Sequence, residues 1–218
     1  MAAICTLGFV ALGVWQVERR AWKLDLIARV EARINAPPVP LTRALWQQVD
    51  EYRRVRSTGV FRHDRETLVQ ALTARGAGFW VLTPFDTPAG TVLVNRGFVT
   101  FERRDPRTRS AAQIEGTTTI VGLVRLSEPG GGFLRANDPA ADRWHSRDVA
   151  AIARARSLGP IAPFFVDADA APNPDGWPVG GLTVVRFRNT HLSYALTWFA
   201  LAALGAYACY RVLSPRNR

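Results

Sequence analysis

The chain has few residues of the types that bind metals or form disulfides. Its 218 residues include two cysteines, one lysine, one methionine and three histidines. Cys5 and Cys209 lie in apolar segments at the two ends, so neither a disulfide framework nor a thiolate metal site is expected between them. His63 and His145 are far apart in the sequence and have no partner at metal-ligand spacing.

Motifs for nucleotide binding and nucleophilic catalysis are also absent. The glycine run at residues 130–132 lacks the lysine and Ser/Thr of a P-loop, and neither Gly-x-Ser-x-Gly nor Cys-x-x-Cys occurs. Asp167 and Asp169 fall on one face of a predicted strand, but paired acids at a strand end are usually solvated. Basic residues outnumber acidic ones by 28 to 18, yet they are scattered and match no nucleic-acid-binding module. We predict a protein that is not an enzyme and does not bind nucleic acid. A membrane-tethered enzyme of unknown reaction is the least favoured alternative.

Hydrophobic residues are concentrated at the two ends of the chain. Residues 1–17 are apolar or small apart from Thr6 and Gln16, which is at the short limit for crossing a bilayer core of about 30 Å. A cleavable signal peptide is the main alternative, but no basic segment precedes this run. A start codon placed too late in the gene could have removed a basic cytoplasmic tail from the first span. Residues 192–210 carry no charge and would rise about 28 Å as a helix, enough to span.

Two spans would place both termini on one side of the membrane and the middle region on the other. The arginines after the second span favour a cytoplasmic C-terminus, whereas Arg19, Arg20 and Lys23 after the first span favour a cytoplasmic middle region. Long loops cross largely regardless of their charge, so the short tail decides and the middle domain is predicted to be external. The predicted organisation is a first span at 1–18, a helical or amphipathic extension at 19–35, an external domain at 36–188, a second span at 189–213 and a cytoplasmic tail at 214–218.

The middle region is predicted to be one mostly antiparallel β domain. Short apolar or alternating runs between turn residues are typical of a sheet or small barrel, and one helix is expected at 146–156, where Asp148 favours its N-terminal end. With the two flanking helices, the fold class is α+β. Loops are expected at Pro84 and at residues 88–90, 130–132 and 172–176. The predicted strands are residues 54–61, 67–72, 79–83, 91–95, 116–126, 163–167 and 182–187, with Trp80, Val94 and Phe98 as core candidates.

The third histidine stands at the start of the second span. His191, Tyr194, Ala195 and Trp198 form one stripe on a helix, because offsets of three, four and seven residues fit 3.6 residues per turn. A histidine in a membrane segment indicates a functional site by default. Neutral imidazole is a common axial ligand of haem iron, and the neighbouring aromatic rings could pack on a porphyrin.

A second stripe lies at a comparable depth in the first span. Trp15, Arg19 and Trp22 have offsets of four and seven residues, and the arginine there could pair with a haem propionate. The alternative is that histidine, tryptophan and arginine at these depths are ordinary interfacial anchors. Spacing alone does not decide between a cofactor site and membrane anchors.

Several motifs follow one another along the chain in the order of a known family. LGVWQVERRAWKLDLI at residues 12–27 and NTHLSYALTWF at 189–199 are the most specific of them. They resemble the first and closing motifs of the surfeit-locus (Surf/Shy) family of cytochrome c oxidase assembly factors. Phe98 stands where the family frequently has tryptophan, and the family's cytoplasmic N-terminus is nearly absent. The other matching blocks are residues 52–61, 78–85, 94–99, 122–125 and 137–139 and Trp144, so the resemblance covers about residues 12–213.

The resemblance implies an assembly factor that binds haem a and aids its insertion into haem-copper oxidase subunit one. It makes His191 the candidate iron ligand, with Trp15, Arg19, Tyr194 and Trp198 as candidate pocket residues. It also implies a two-pass protein of a bacterial inner membrane with a periplasmic domain. Expected partners are oxidase subunit one, haem a synthase and membrane lipid, and a second copy of the chain is a further candidate. The alternative is a scaffold for oxidase biogenesis that does not itself bind haem.

Overall fold

The computed structural model describes residues 2–132, 134–171, 173–183, 185, 187 and 189–213. Within these ranges the chain divides into two compact units. The first, here called the hairpin, combines Met1–Ala32 with Val185–Arg218. The second, here called the β domain, is Arg33–Val184.

The hairpin is built from two long helices, α1 at Ala2–Asn35 and α3 at His191–Leu213. α1 is one continuous helix through the segment at 19–35. Among the described residues, α3 is the one helix long and apolar enough to cross a membrane. The apolar part of α1 ends before Glu18, so α1 is not apolar over the length that a membrane span needs. The first of the two predicted spans is therefore not confirmed. The predicted tail at 214–218 lies outside the described residues.

The two helices of the hairpin pack along a seam with a seven-residue repeat. Thr6 lies against Gly205, and the ring of Phe9 stacks on that of Trp198 with centroids 5.8 Å apart, so the helices run antiparallel. Partly or fully buried positions on both helices recur at alternating steps of three and four residues, the spacing of a coiled coil. The hairpin seam consists of Thr6, Phe9, Gly13 and Gln16 of α1 and His191, Ala195, Trp198, Ala202, Gly205 and Cys209 of α3.

The β domain contains a small, partly open barrel. Its seven-stranded sheet has the order β1-β2-β6-β7-β5-β4-β3, and a further pairing between β2 and β4 closes five strands into a ring. All pairs are antiparallel except β1–β2 and β5–β7. Numbered in chain order, the ring strands follow one another as 1-4-5-3-2-1, the order of the OB-type barrel. The strands are β1 Val39–Pro40, β2 Arg54–Phe61, β3 Thr67–Thr73, β4 Gly76–Thr87, β5 Gly90–Val99, β6 Thr117–Leu126 and β7 Ile161–Ala168.

Three apolar clusters hold the β domain together, and the smallest of them joins Phe79, Val81 and Val99. The first fills the barrel with side chains from all five ring strands, among them Val55, Phe85 and Phe164. The second lies under α2, Val149–Ala155, where Trp144 and Ile152 are almost fully buried. The carboxylate of Asp148 accepts the amide of Ala151 at 3.0 Å, so the residue expected to favour the start of the helix by its charge also caps it. Of the core candidates, Val94 and Phe98 are fully buried, whereas Trp80 is only partly buried.

The α+β class and the mostly antiparallel sheet are confirmed, and two local predictions are wrong. Pro84, predicted as a loop, lies inside β4 opposite Leu93. Proline removes only its own N–H from the ladder, and its carbonyl still accepts the amide of Arg62 at 2.9 Å. The described residues of the predicted strand at 182–187 form no strand. The Thr183 hydroxyl donates a hydrogen bond to the carboxylate of Asp167 instead. Residues 184 and 186 lie outside the described residues.

Candidate functional site at His191

His191 is the first residue of α3 and belongs to the hairpin seam. The side-chain oxygen of Asn189 accepts the His191 amide at 3.4 Å, which satisfies one of the N–H groups left unpaired at a helix start. The Nδ1 atom of the imidazole is 2.7 Å from the Oε1 atom of Gln16 on α1. Gln16 is only 9% exposed, so this contact between the two helices is sheltered inside the seam.

The hydrogen bond to Gln16 decides which nitrogen of His191 is available. An amide oxygen has no proton to give, so Nδ1 must donate, and in the neutral ring Nε2 keeps its lone pair. Histidines that bind metals usually have their other nitrogen held in this way, which fixes both the tautomer and the ring orientation. Nε2 of His191 is therefore prepared to act as a ligand atom.

Arg19 and Tyr194 lie on one flank of the hairpin. Gln16 and His191 meet across the two helices, and Arg19 and Tyr194 follow them by three residues each. A step of three residues rotates a position on a helix by about 60° away from the seam. In an antiparallel pair these two turns lead to the same side. The side chain of Tyr194 is 55% exposed. Trp15, Arg19, Trp22 and Tyr194 together are called the His191 flank.

The His191 flank combines a cation with exposed aromatic rings. The guanidinium of Arg19 lies 4.0 Å from the ring centroid of Trp22. Trp15 and Trp22 are 53% and 47% exposed, so their rings are free to cover a flat apolar ligand or to meet lipid. The flank therefore offers one positive charge between aromatic surfaces, next to a histidine with an open nitrogen.

Trp198 occupies a different place from the one expected of a flank residue. Its ring stacks on Phe9 inside the seam, so it holds the two helices together. The predicted stripe is thus divided: His191 and Trp198 face α1, whereas Tyr194 faces the flank. Gln16 was not among the predicted site residues, and the signal that could have indicated it is the seven-residue repeat shared by both helices.

The donor atoms of the described residues fit a ligand that brings its own coordination sphere. They include no group of three or more His, Cys, Asp or Glu side chains able to hold a bare metal ion. One imidazole suffices as the axial ligand of a porphyrin iron, whose other positions are filled by the porphyrin itself. Cys209 lies in the seam and Cys5 is exposed on α1. The residues around His191 therefore fit a haem better than a free metal ion.

The β domain ties its buried charges into closed networks. Asp167 is 3% exposed and accepts hydrogen bonds from Asn95 at 2.8 Å, Arg125 at 3.0 Å, Arg147 at 3.3 Å and Thr183 at 2.9 Å. The expectation that this carboxylate is solvated is wrong, because side chains from distant parts of the chain cover the strand end. Four donors occupy both oxygens, so Asp167 anchors the barrel and has no site left for acid or base chemistry.

A second network surrounds the histidine of the barrel. Arg109 is fully buried and holds the carboxylate of Glu66 with both terminal nitrogens. His63 accepts at Nδ1 from Arg96 at 3.4 Å and donates from Nε2 to the carbonyl of Ile114 at 3.1 Å. Burial, and then the nearby charges of Arg96 and Arg109, lower the pKa of His63 below its ordinary value. Burial also lowers the pKa of Arg96, to about 10.

The motif blocks inside the β domain have structural roles. In the block at residues 94–99, Gly97 has φ +132°, and a Cβ there would lie 2.2 Å from the carbonyl oxygen of Val179. Asn137 accepts the amides of His145 at 2.7 Å and Ser146 at 3.1 Å, which shapes the turn before α2. These residues hold the backbone and present no free reactive group.

Comparison with known proteins agrees with the motifs. Residues 3–203 match the SURF1 family. Surfeit locus protein 1 of Homo sapiens is 40% identical over an alignment of 219 positions, which covers 92% of this chain and 72% of that protein. Surfeit locus protein 1 of Takifugu rubripes is 38% identical, over 90% of this chain and 88% of that protein. The SURF1-like protein of Drosophila melanogaster is 32% identical, over 94% of this chain and 74% of that protein. The chain belongs to the SURF1 family, a membrane-associated family of cytochrome c oxidase assembly factors that is not known as an enzyme family.

Proposed function

We propose that this chain binds haem a through Nε2 of His191 and aids its insertion into haem-copper oxidase subunit one. The observation that carries the proposal is the 2.7 Å contact between Nδ1 of His191 and Gln16, which leaves the lone pair on Nε2 of the neutral ring, at the start of an apolar helix. Membership of a family of oxidase assembly factors supports the choice of haem a over other porphyrins.

The residues of the hairpin would each contribute one interaction to such a site. Haem a, when bound, supplies the iron that the oxidase requires. His191 provides a single neutral nitrogen, and Arg19 provides a cation able to pair with a propionate. Trp15, Trp22 and Tyr194 provide exposed aromatic surface that would shield the porphyrin from water. One protein ligand holds a haem less firmly than two, which suits transient binding.

The hairpin also supports the proposed placement in a membrane. Two antiparallel helices with small residues at their contact are a usual arrangement of paired membrane spans. We propose that both helices cross a bacterial inner membrane, with the β domain in the periplasm and both termini in the cytoplasm. A reporter inserted at the exposed turn at Arg75 should then read as external, and one fused after Arg218 as cytoplasmic. A cytoplasmic reading at Arg75 would overturn this orientation.

The proposed partners follow from the same surfaces. Leu196, Leu204 and Val14 are among the large apolar side chains exposed on the two helices, and they suit contact with lipid or with other membrane helices. We propose oxidase subunit one and haem a synthase as the proteins that meet this surface, and a second copy of the chain as a further candidate.

The test is the haem content of the purified protein. The full chain and its variants are expressed at equal levels in cells that make haem a, and bound haem is measured by pyridine haemochrome. His191→Ala should lose the haem while the protein accumulates normally, because alanine has no lone pair for the iron. Cys209→Ala is the matched control on the same helix, and His63→Ala tests a histidine of the barrel; both should retain haem.

Two outcomes would contradict the assignment. Full haem a occupancy in His191→Ala would show that another residue holds the iron. Absence of haem from the unaltered protein, combined with normal oxidase yield in the cells, would favour the scaffold that supports oxidase biogenesis without contacting haem.

A further inference from the structure

The contact between Gln16 and His191 joins residues 175 positions apart in the sequence, with Oε1 and Nδ1 2.7 Å apart. Gln16 is the most polar residue of the seam on α1, and it is 9% exposed. Placing an amide between two apolar helices is unfavourable unless its polar atoms are bonded. The position therefore requires a partner, and the partner present is the ring of His191.

We propose that Gln16 is a positioning residue that holds His191 as the Nδ1-protonated tautomer and so selects Nε2 as the ligand atom. The claim about the tautomer concerns the protein without any cofactor. Its consequence for haem rests on the function proposed above.

The chemistry of the amide explains why glutamine suits this position. Its oxygen accepts the Nδ1 proton but carries no full charge. A carboxylate would stabilise the imidazolium, whose Nε2 is protonated and cannot bind iron. A leucine would fill the space but would leave the two ring nitrogens free to exchange the proton.

The seam fixes the geometry of this contact. Gln16 and His191 occupy positions of the seven-residue repeat, and the helices are locked one turn away by close packing at Gly13. Because both side chains leave the backbone inside a packed interface, the amide meets the ring in a fixed orientation. A glutamine on the exposed face of α1 would lack this restraint.

The direct test reads the tautomer in the haem-free protein. The full chain is labelled with 15N-histidine in cells that do not make haem a, purified in detergent, and examined by NMR of the ring nitrogens. His191→Ala identifies the His191 signals. The unaltered protein should show a protonated Nδ1 and an unprotonated Nε2 at His191. In Gln16→Leu the proton should move largely to Nε2 or exchange between the two nitrogens.

Two further variants separate positioning from packing. Thr6→Val changes a polar residue of the same seam and should leave the His191 tautomer as it is. Gln16→Asn keeps the amide but shortens it by one methylene, so it should lose the tautomer bias even if Gln16→Leu fails to accumulate. An Nε2-protonated ring in the unaltered protein, or an unchanged tautomer in both Gln16 variants, would overturn the proposal.

The midpoint potential of bound haem gives an independent reading. A donor hydrogen bond at Nδ1 makes the imidazole a stronger ligand and stabilises the oxidised iron, so Gln16→Leu should shift the potential upward. If the tautomer depends on Gln16 but no haem binds, the proposed function fails and this inference stands. If haem binds through His191 while the tautomer and the midpoint potential do not depend on Gln16, this inference alone fails.

Discussion

The hairpin and the β domain use their histidines in different ways. In the β domain, His63 has one ring nitrogen bonded to Arg96 and the other to the carbonyl of Ile114. In the hairpin, Nδ1 of His191 is bonded to Gln16, and among the described residues no hydrogen bond is recorded at its Nε2. A ring with both nitrogens engaged is part of the structure, whereas a ring with one free and oriented nitrogen is available to a ligand. Of these two histidines, only the one in the hairpin has an oriented ring nitrogen without a recorded hydrogen bond to the part of the chain that the structure describes.

The buried charges show the same contrast. Glu66 and Arg109 in the β domain are 6% and 0% exposed and form a bidentate ion pair. On α1, Asp25 and Arg29 also pair, but both are more than half exposed. Enclosed pairs have no solvent to replace a lost partner, so their removal should be costly, whereas surface pairs should be nearly neutral.

Removing the partner of the enclosed arginine should have the largest effect. Glu66→Ala leaves the charge of Arg109 buried and uncompensated, and the free energy of unfolding should fall by about 3–5 kcal/mol. Asp64→Ala is the matched control, because its partner Arg65 is 43% exposed, and it should change the free energy by about 1 kcal/mol or less. Urea unfolding of the full chain in detergent, followed by tryptophan fluorescence, measures both. Equal effects in the two variants would contradict the enclosed role of Glu66.

The next largest losses of unfolding free energy are expected at two tryptophans of the β domain, which should differ from each other. Trp144 is 1% exposed and packs in the cluster under α2, so Trp144→Ala should cost about 3–5 kcal/mol. Trp80 is only partly buried against the same cluster, so Trp80→Ala should cost about 2 kcal/mol. The same unfolding experiment ranks them. A larger loss for Trp80 would show that the cluster depends on the edge-to-face contact between Trp80 and Phe98.

The hairpin should be sensitive to volume at one glycine and insensitive at another. A Cβ at Gly13 would lie 2.5 Å from the ring of Phe199, whereas a Cβ at Gly8 would have no neighbour within 4 Å. Gly13→Leu should therefore destabilise the pairing of α1 and α3 by about 1–3 kcal/mol. Gly8→Leu should change it by about 0.5 kcal/mol or less. Helix ellipticity during unfolding in mixed detergent and SDS micelles reports the difference, and equal stability of the two variants would disprove close packing at Gly13.

Much of the sheet could be predicted because local sequence determines it. The alternation of β2 gives the pattern of buried and exposed residues seen in the structure, and its predicted bounds of 54–61 match Arg54–Phe61. β4 was predicted too short, because its glycines and Pro84 are residues that normally end strands. The carbonyl of Pro84 is bonded by the amide of Arg62, the residue after β2, and this contact cannot be read from the local sequence.

In the candidate site, too, only the features that local sequence determines could be predicted. His191 was identifiable from its residue type and its place at the start of an apolar run. Gln16 was not, because its role depends on the register of two helices far apart in the sequence. Asp167 was expected to be solvated, since the arginines that enclose it, Arg125 and Arg147, lie 42 and 20 residues earlier in the chain. Residue types indicate which chemistry is available, and only the fold shows which groups remain free.

The smallest expected effect concerns the pH dependence of the β domain. Burial, followed by the charges of Arg96 and Arg109, holds the pKa of His63 in the folded chain below its ordinary value near 6.5. The unfolded chain therefore binds this proton more tightly, so stability is fully present above pH 6.5 and is lost as the pH falls through the lower folded pKa. His63→Gln, which keeps a donor for the carbonyl of Ile114, should flatten the decline in unfolding free energy between about pH 6.5 and 5. His145→Gln should leave that decline in place. Urea titrations at several pH values compare the three proteins, and an unchanged decline in His63→Gln would show that His63 does not couple folding to protonation.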